Sequence, residues 1–209
     1  MAQQARALET RRQILITAAH VFRRVGFDRT RLNDIVEESG LTRGAIYFHF
    51  KSKDEIADVV VDELAASSLE AVAAVAETGD YAMRQIGMLC REMGRLLIDD
   101  PVVSAGIRLV IELKSGKEPI PAYLGWIEAL KYLVACGIEQ GDVREGVDPE
   151  QAAIFIAEAF VGAHVLSYAV TGHEDLAERI DNLADNLIWS LMTAEQVAAR
   201  PDLLGARLP

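Results

Sequence analysis

From Ile14 to Leu191 the apolar residues of this chain recur at intervals of three and four, and the runs are broken by single glycines, prolines or capped turns. No stretch alternates between apolar and polar, as a half-buried strand must, so the chain is expected to be all-α. In the first segment Ile14, Ala18, Val21, Phe22 and Val25 share one stripe, and Gly26 stands where a helix ends. Thr30 is expected to cap a short helix whose inner face is Leu32, Ile35 and Val36 and which stops at Gly40. A third helix then starts at once, capped by Thr42, with Ile46 and Phe50 pointing inward and both Phe48 and Phe50 assigned to the core. Ser52 and Glu55, in capping-box spacing, open a long fourth helix that reaches about Ala76.

The remainder reads the same way. A helix is expected from about Tyr81 to Leu97, and the pairs Asp100-Pro101 and Asp148-Pro149 each combine a cap with the residue best tolerated at a first helical position. "KSGKEPIPAYLGW", with Pro119 and Pro121, must break the chain before a helix carrying Trp126, Leu130, Leu133, Val134 and Cys136. Two strongly apolar helices follow, about Pro149 to Val170 and Asp175 to Thr193, and the tail from Ala194 looks like an ill-defined end. At 209 residues and 51% hydrophobic, the chain can bury its core without disulfides or metal. Cys90 and Cys136 lie within apolar helical patterns and are expected as buried free thiols in a reducing, cytoplasmic setting. No apolar core follows the opening "MAQQARALETRR", and Glu158 and His164 interrupt the most apolar window, Ile154 to Val170, which argues against a signal peptide or a membrane span.

Charge is divided unevenly. Residues 1–53 hold ten Lys/Arg against five Asp/Glu, whereas the rest holds 11 against 27, for a net charge of -11. A basic head meeting a polyanion and an acidic body with another task are the natural reading. Within that head, two short helices joined at Gly40 match a helix-turn-helix. The second carries small residues, Gly44 and Ala45, that allow a close approach to a groove floor. Around them Thr42, Arg43, Tyr47 and His49 supply donors. Arg43, near the helix N-terminus, is best placed for a base edge, and Lys53 at the start of helix four for a phosphate.

The stretch "GFDRTRLNDIVEESGLTRGAIYFHFKSKDEI" resembles the DNA-binding head of the tetracycline-repressor (TetR) family, with Gly26-Phe27, Thr30, Ile35, Gly40, Gly44, Tyr47, Phe50 and Lys53 in one register. The resemblance implies that Thr30, Thr42, Tyr47, His49 and Lys53 hold phosphates while Arg43, Gly44 and Ala45 face bases. It also implies a homodimer whose last two long helices form a four-helix bundle across the two-fold. In the body, "YFHF", "DPVVSAGIRLV" and the tryptophan of "YLGWIEAL" resemble actinobacterial γ-butyrolactone receptors, in which the matching tryptophan lines a ligand pocket. Trp126, with Met88 and Phe160, is therefore the candidate ligand-binding set. The chain departs from that pattern at Leu64 and in its Pro-x-Pro break, so an antibiotic, a furan or a butenolide stands beside a γ-butyrolactone as effector, and so does DNA binding with no small-molecule response.

Glu158 lies in an apolar run, where a buried carboxylate needs a partner: an arginine across the dimer, His164 or a ligand hydroxyl, in that order. Glu158, Gly162, Ala163 and Leu187 are the candidate dimer-interface residues. His20, His49, His164 and His173 show no metal-ligand spacing, and no catalytic set is visible. The expected organisation is a three-helix DNA-binding domain over 1–53, a helical ligand-binding and dimerisation domain over 54–195, and a tail over 196–209. The expected function is a ligand-responsive transcriptional repressor without catalytic activity, cofactor, metal or membrane association, whose partners are double-stranded operator DNA, a small effector and a second copy of itself.

Overall fold

Why the helices fall where they do is visible at their ends. The computed structural model describes residues 2–113 and 121–208 as ten α-helices, with no strand among the described residues. They are α1 (Ala2–Val25), α2 (Leu32–Ser39), α3 (Arg43–His49), α4 (Lys53–Glu77), α5 (Ala82–Asp99), α6 (Pro101–Glu112), α7 (Pro121–Glu139), α8 (Pro149–Thr171), α9 (Leu176–Leu191) and α10 (Ala194–Ala198). Asp100 caps α6 by accepting from the N–H of Val102 at 2.7 Å, and Asp148 caps α8 by accepting from Gln151 N–H at 2.9 Å. In both cases proline follows at the first helical position, where its missing N–H costs nothing. Pro121 begins α7, while Pro119 lies outside the described residues.

Two compact units emerge from the packing: Met1–Ser67 with Asp99–Ala122, and Ser68–Ile98 with Tyr123–Pro209. This grouping by packing is drawn at other places than the division by function into 1–53, 54–195 and 196–209. In the first unit Ile14, Ala18, Phe22, Ile35, Ile46 and Phe50 pack with Ile56 and Val60 of α4 and with Val102 and Leu109 of α6. Gly106 lets α6 cross α4 closely, since a Cβ there would stand 2.8 Å from the Cβ of Leu64. In the second unit the guanidinium of Arg91 on α5 is buried and bonds Asp181 and Asp185 of α9 as well as the carbonyl of Ala206.

Several sequence expectations are corrected. Thr30 does not cap α2; Arg31 occupies the cap position and its N–H donates to Asp34, while the buried Thr30 hydroxyl donates to the carbonyl of Gly26 at 2.6 Å and closes the preceding turn. Phe48 is not core: it is 75% exposed, whereas Phe50 is buried. Ser52 does cap α4, but Glu55 reaches back to the N–H of Lys51, one residue further out than a capping box requires. Glu158 is exposed within its own subunit, so no desolvation cost arises there. Leu187 is buried inside the subunit and has no surface left for a partner. The tail is ordered by burial of Leu203 and Ala206 and by an Arg207–Asp181 ion pair, because it covers the Arg91 cluster. Both cysteines are free, Cys90 buried and Cys136 half-buried. Finally, α8 is the one helix among the described residues that is long and apolar enough to cross a membrane; here Ala153, Ile156, Phe160, His164 and Ser167 are buried on one side of it.

Candidate DNA-binding face and body site

The turn between α2 and α3 depends on Gly40, whose φ of 67° lies in the left-handed region that a side chain disfavours. Ser39 tightens it, donating to the carbonyl of Val36 and accepting from Leu41 N–H. Thr42 then starts α3, its hydroxyl oxygen accepting from Ala45 N–H at 3.2 Å. With Ile46 and Phe50 buried, Thr42, Arg43, Gly44, Tyr47 and Phe48 are left exposed together, with Ala45 and His49 half-buried beside them. A Cβ added at Gly44 would meet nothing within 4 Å, so the backbone is open to a partner there. The Phe48 and His49 rings meet edge to face, with centroids 5.1 Å apart.

The basic side chains are not all equally available. Arg43 donates to Asn33 of α2 at 2.5 Å, which orients its guanidinium along the head and leaves its other donors open. Lys53 is committed inward: its ammonium donates to the carbonyl of Phe27 at 2.7 Å and lies 4.2 Å from the centre of the Phe27 ring. Thr30 is also turned away from the surface. Of the eight residues singled out in the head, the fold thus brings Thr42, Arg43, Gly44, Ala45, Tyr47 and His49 onto one short helix with its cap, and sets Thr30 and Lys53 apart as ties within the head.

In the second unit Trp126 of α7 packs edge to face against Phe160 of α8, with ring centroids 4.9 Å apart. Trp126 is 5% exposed, yet its indole N–H has no hydrogen-bond partner among the described residues. A buried donor left unpaired costs about 1–3 kcal/mol, so such a group marks a place where an acceptor is due. Met88, on α5 of the same unit, is fully buried. Among the described residues no group of three or more His, Cys, Asp or Glu side chains is arranged to hold a metal.

The helix-turn-helix matches the model of the bacterial regulatory proteins of the tetR family over residues 14–60. Similarity extends well beyond it: the A-factor receptor protein of Streptomyces griseus is 31% identical over 199 residues, covering 91% of this chain and 67% of that one. The chain belongs to the tetR family. This tetR-family chain also superposes on a γ-butyrolactone receptor described as ArpA-like, with a TM-score of 0.82 and 26% identity over 95% of this chain and 96% of the other. A third relative is CprB of Streptomyces coelicolor, solved in complex with its operator, at a TM-score of 0.79 and 27% identity over the same shares. As a tetR-family member the chain is a DNA-binding regulator and not an enzyme.

Two features of the head escaped sequence reasoning. The ring of Phe48 suggests a core residue, but its place two residues after the buried Ile46 turns it to the opposite side of the helix. The partners of Lys53 and Arg43 had no signal at all, because they come from residues 26 and ten positions away.

Proposed function

We propose that this protein is a cytoplasmic, homodimeric repressor that binds a near-palindromic operator through α3 and is released by a small apolar effector of the γ-butyrolactone class held against Trp126. The observation that carries the effector half is the unpaired indole N–H of a buried tryptophan packed on Phe160. A lactone offers what that site lacks, a carbonyl acceptor on an apolar body. In the head, Arg43, Gly44 and Ala45 face base edges; Thr42, Tyr47 and His49 hold phosphates; Phe48 adds an apolar contact of the kind that suits a thymine methyl. Half-site centres lie roughly 34 Å apart or a multiple of it. Each subunit contributes α8 and α9 to the dimer, through Ile154, Phe155, Val165, Leu166 and Trp189, with Glu158, Gly162 and Ala163 on the same helix; Leu187 is left out. Release requires only that the effector bind better to a conformer whose heads do not match the operator spacing.

The test is a gel shift on DNA from upstream of the protein's own gene, at stated salt and with excess unrelated DNA, with and without a panel of γ-butyrolactones. Titration of the same panel against Trp126 fluorescence, in a Trp189→Phe background, follows in parallel. Operator binding released by a lactone that also quenches Trp126 supports the reading. Operator binding that no lactone alters, with no quench, keeps the DNA-binding half and discards the effector class in favour of another ligand or none. Trp126→Phe is expected to keep operator binding and lose release, because it removes the donor while retaining an aromatic ring.

A further inference from the structure

Phe27, in the turn that joins α1 to α2, is held by its backbone from two sides. Its N–H donates to Oε2 of Glu112, near the end of α6, at 2.6 Å, and its carbonyl accepts from Lys53 of α4 at 2.7 Å. The Glu112 carboxylate is itself oriented: Oε1 accepts from Nε of Arg108 at 2.6 Å, while Nη1 of Arg108 donates to the carbonyl of Arg23 at the end of α1, also at 2.6 Å. This pair lies over Gly26, where an added Cβ would stand 2.9 Å from Arg108 and 3.1 Å from Glu112. Gly26, with φ of 86°, is required by its left-handed conformation, while the charged tips of Arg108 and Glu112 lie close over its backbone. The surroundings form an open cleft of about 970 Å³ lined also by Arg24, Asp28, Asp34 and Glu38. A charged side chain spent on a backbone N–H of another element holds that element at one distance and angle, since such bonds are short and directional.

We infer that Glu112, oriented by Arg108, is a positioning residue for operator binding: it latches the α1–α2 turn to α6 while Lys53 latches the same residue to α4. The inference rests on reading the head as an operator-binding module. Because α2 packs on α1 and α3 follows α2 after a short turn, the pose of the α1–α2 turn fixes the pose of α3. Glu112 and Arg108 act without touching DNA, by restricting the head to one of the poses that the turn would otherwise sample.

The full-length protein first selects an operator from a random-sequence duplex pool. Glu112→Ala, Glu112→Gln and wild type are then compared on that operator, on versions with the half-sites moved by one base pair, and on random duplex of equal length. Exchange of the Phe27 amide hydrogen and the unfolding temperature are measured alongside. Glu112→Ala is expected to weaken operator binding about tenfold, the loss of one charge-assisted bond. It should also accept the shifted half-sites nearly as well as the original and speed exchange at Phe27, with random-DNA binding unchanged. Glu112→Gln should recover most of the spacing preference, since its amide oxygen still accepts from Phe27 N–H. Wild-type affinity and spacing preference in Glu112→Ala, or equal losses on operator and random DNA, overturn the inference. Should Glu112→Ala fail to fold, Arg108→Lys replaces it, because a single ammonium cannot hold the Arg23 carbonyl and Glu112 together in the guanidinium's geometry; wild-type spacing preference there overturns the latch equally. If wild type selects no sequence from the pool, the operator reading fails and the latch with it.

Discussion

Phe48 and Phe50 are two residues apart in a motif of mixed character, and only the second is buried. An exposed phenylalanine beside Tyr47 and His49 is solvated at a cost that a DNA contact removes. Phe48→Ala is therefore expected to leave the unfolding temperature unchanged and to weaken operator binding by about 1 kcal/mol, read by fluorescence anisotropy at fixed salt. Arg91 has the opposite character. Its guanidinium is buried and spends its donors on Asp181, Asp185 and the carbonyls of Gly87 and Ala206, joining α5, α9 and the C-terminal segment. Arg91→Ala leaves Asp181 with Arg207 alone and Asp185 without a cation, and unties α5 from α9 and the C-terminal segment; it is expected to destabilise by about 1–3 kcal/mol in urea unfolding. Arg91 was visible in the sequence only as a charge within an apolar run. Its partners lie 90 and 94 residues away, where no local pattern reaches.

At the scale of elements, the α8–α9 hairpin closes through Asp175. Its carboxylate pairs with Arg179 at 2.7 Å and accepts from the hydroxyls of Ser167 at 2.7 Å and Thr171 at 2.8 Å. The bond from Arg179, then that from Ser167, holds the Asp175 carboxyl well below the usual carboxylate range. A depressed carboxylate stabilises the fold fully above its unfolded value near 3.8, and that contribution is lost as pH falls from there through the folded value. Acid unfolding of wild type followed by circular dichroism should therefore include a proton-uptake step below about pH 3.8 that Asp175→Asn lacks. Helix starts were largely legible in the sequence, since Thr42, Asp100 and Asp148 cap as their spacing suggests. Thr30 failed because cap identity depends on backbone conformation at one residue, and its hydroxyl had a closer acceptor in Gly26.

At the scale of the whole molecule, α8 is apolar nearly all round: Ala153, Ile156 and Phe160 serve the subunit core while Ile154, Phe155, Val165, Leu166 and Val170 remain exposed. A soluble helix with two apolar faces needs two partners. Leu166→Asp is expected to give a folded monomer by sedimentation, with operator binding reduced far more than random-DNA binding because two half-sites no longer engage together. The basic residues are concentrated in the head and the remainder is acidic, so operator binding should weaken with rising salt, and Arg43→Ala should lower the slope of that dependence.

What the sequence alone determined is whatever acts over a few residues. The three-and-four spacing dictated helices, the caps and glycines set most of their ends, and the run from Gly26 to Ile56 carried the helix-turn-helix. Only the tertiary structure decided which side of an apolar helix is inside, and so exposed Phe48 and Glu158 and buried Leu187. It also decided where long charged side chains end. Lys53 and Glu112 meet at the backbone of Phe27, and Arg91 meets the tail, because flexible side chains are fixed by acceptors that folding brings near and that no spacing in the chain encodes.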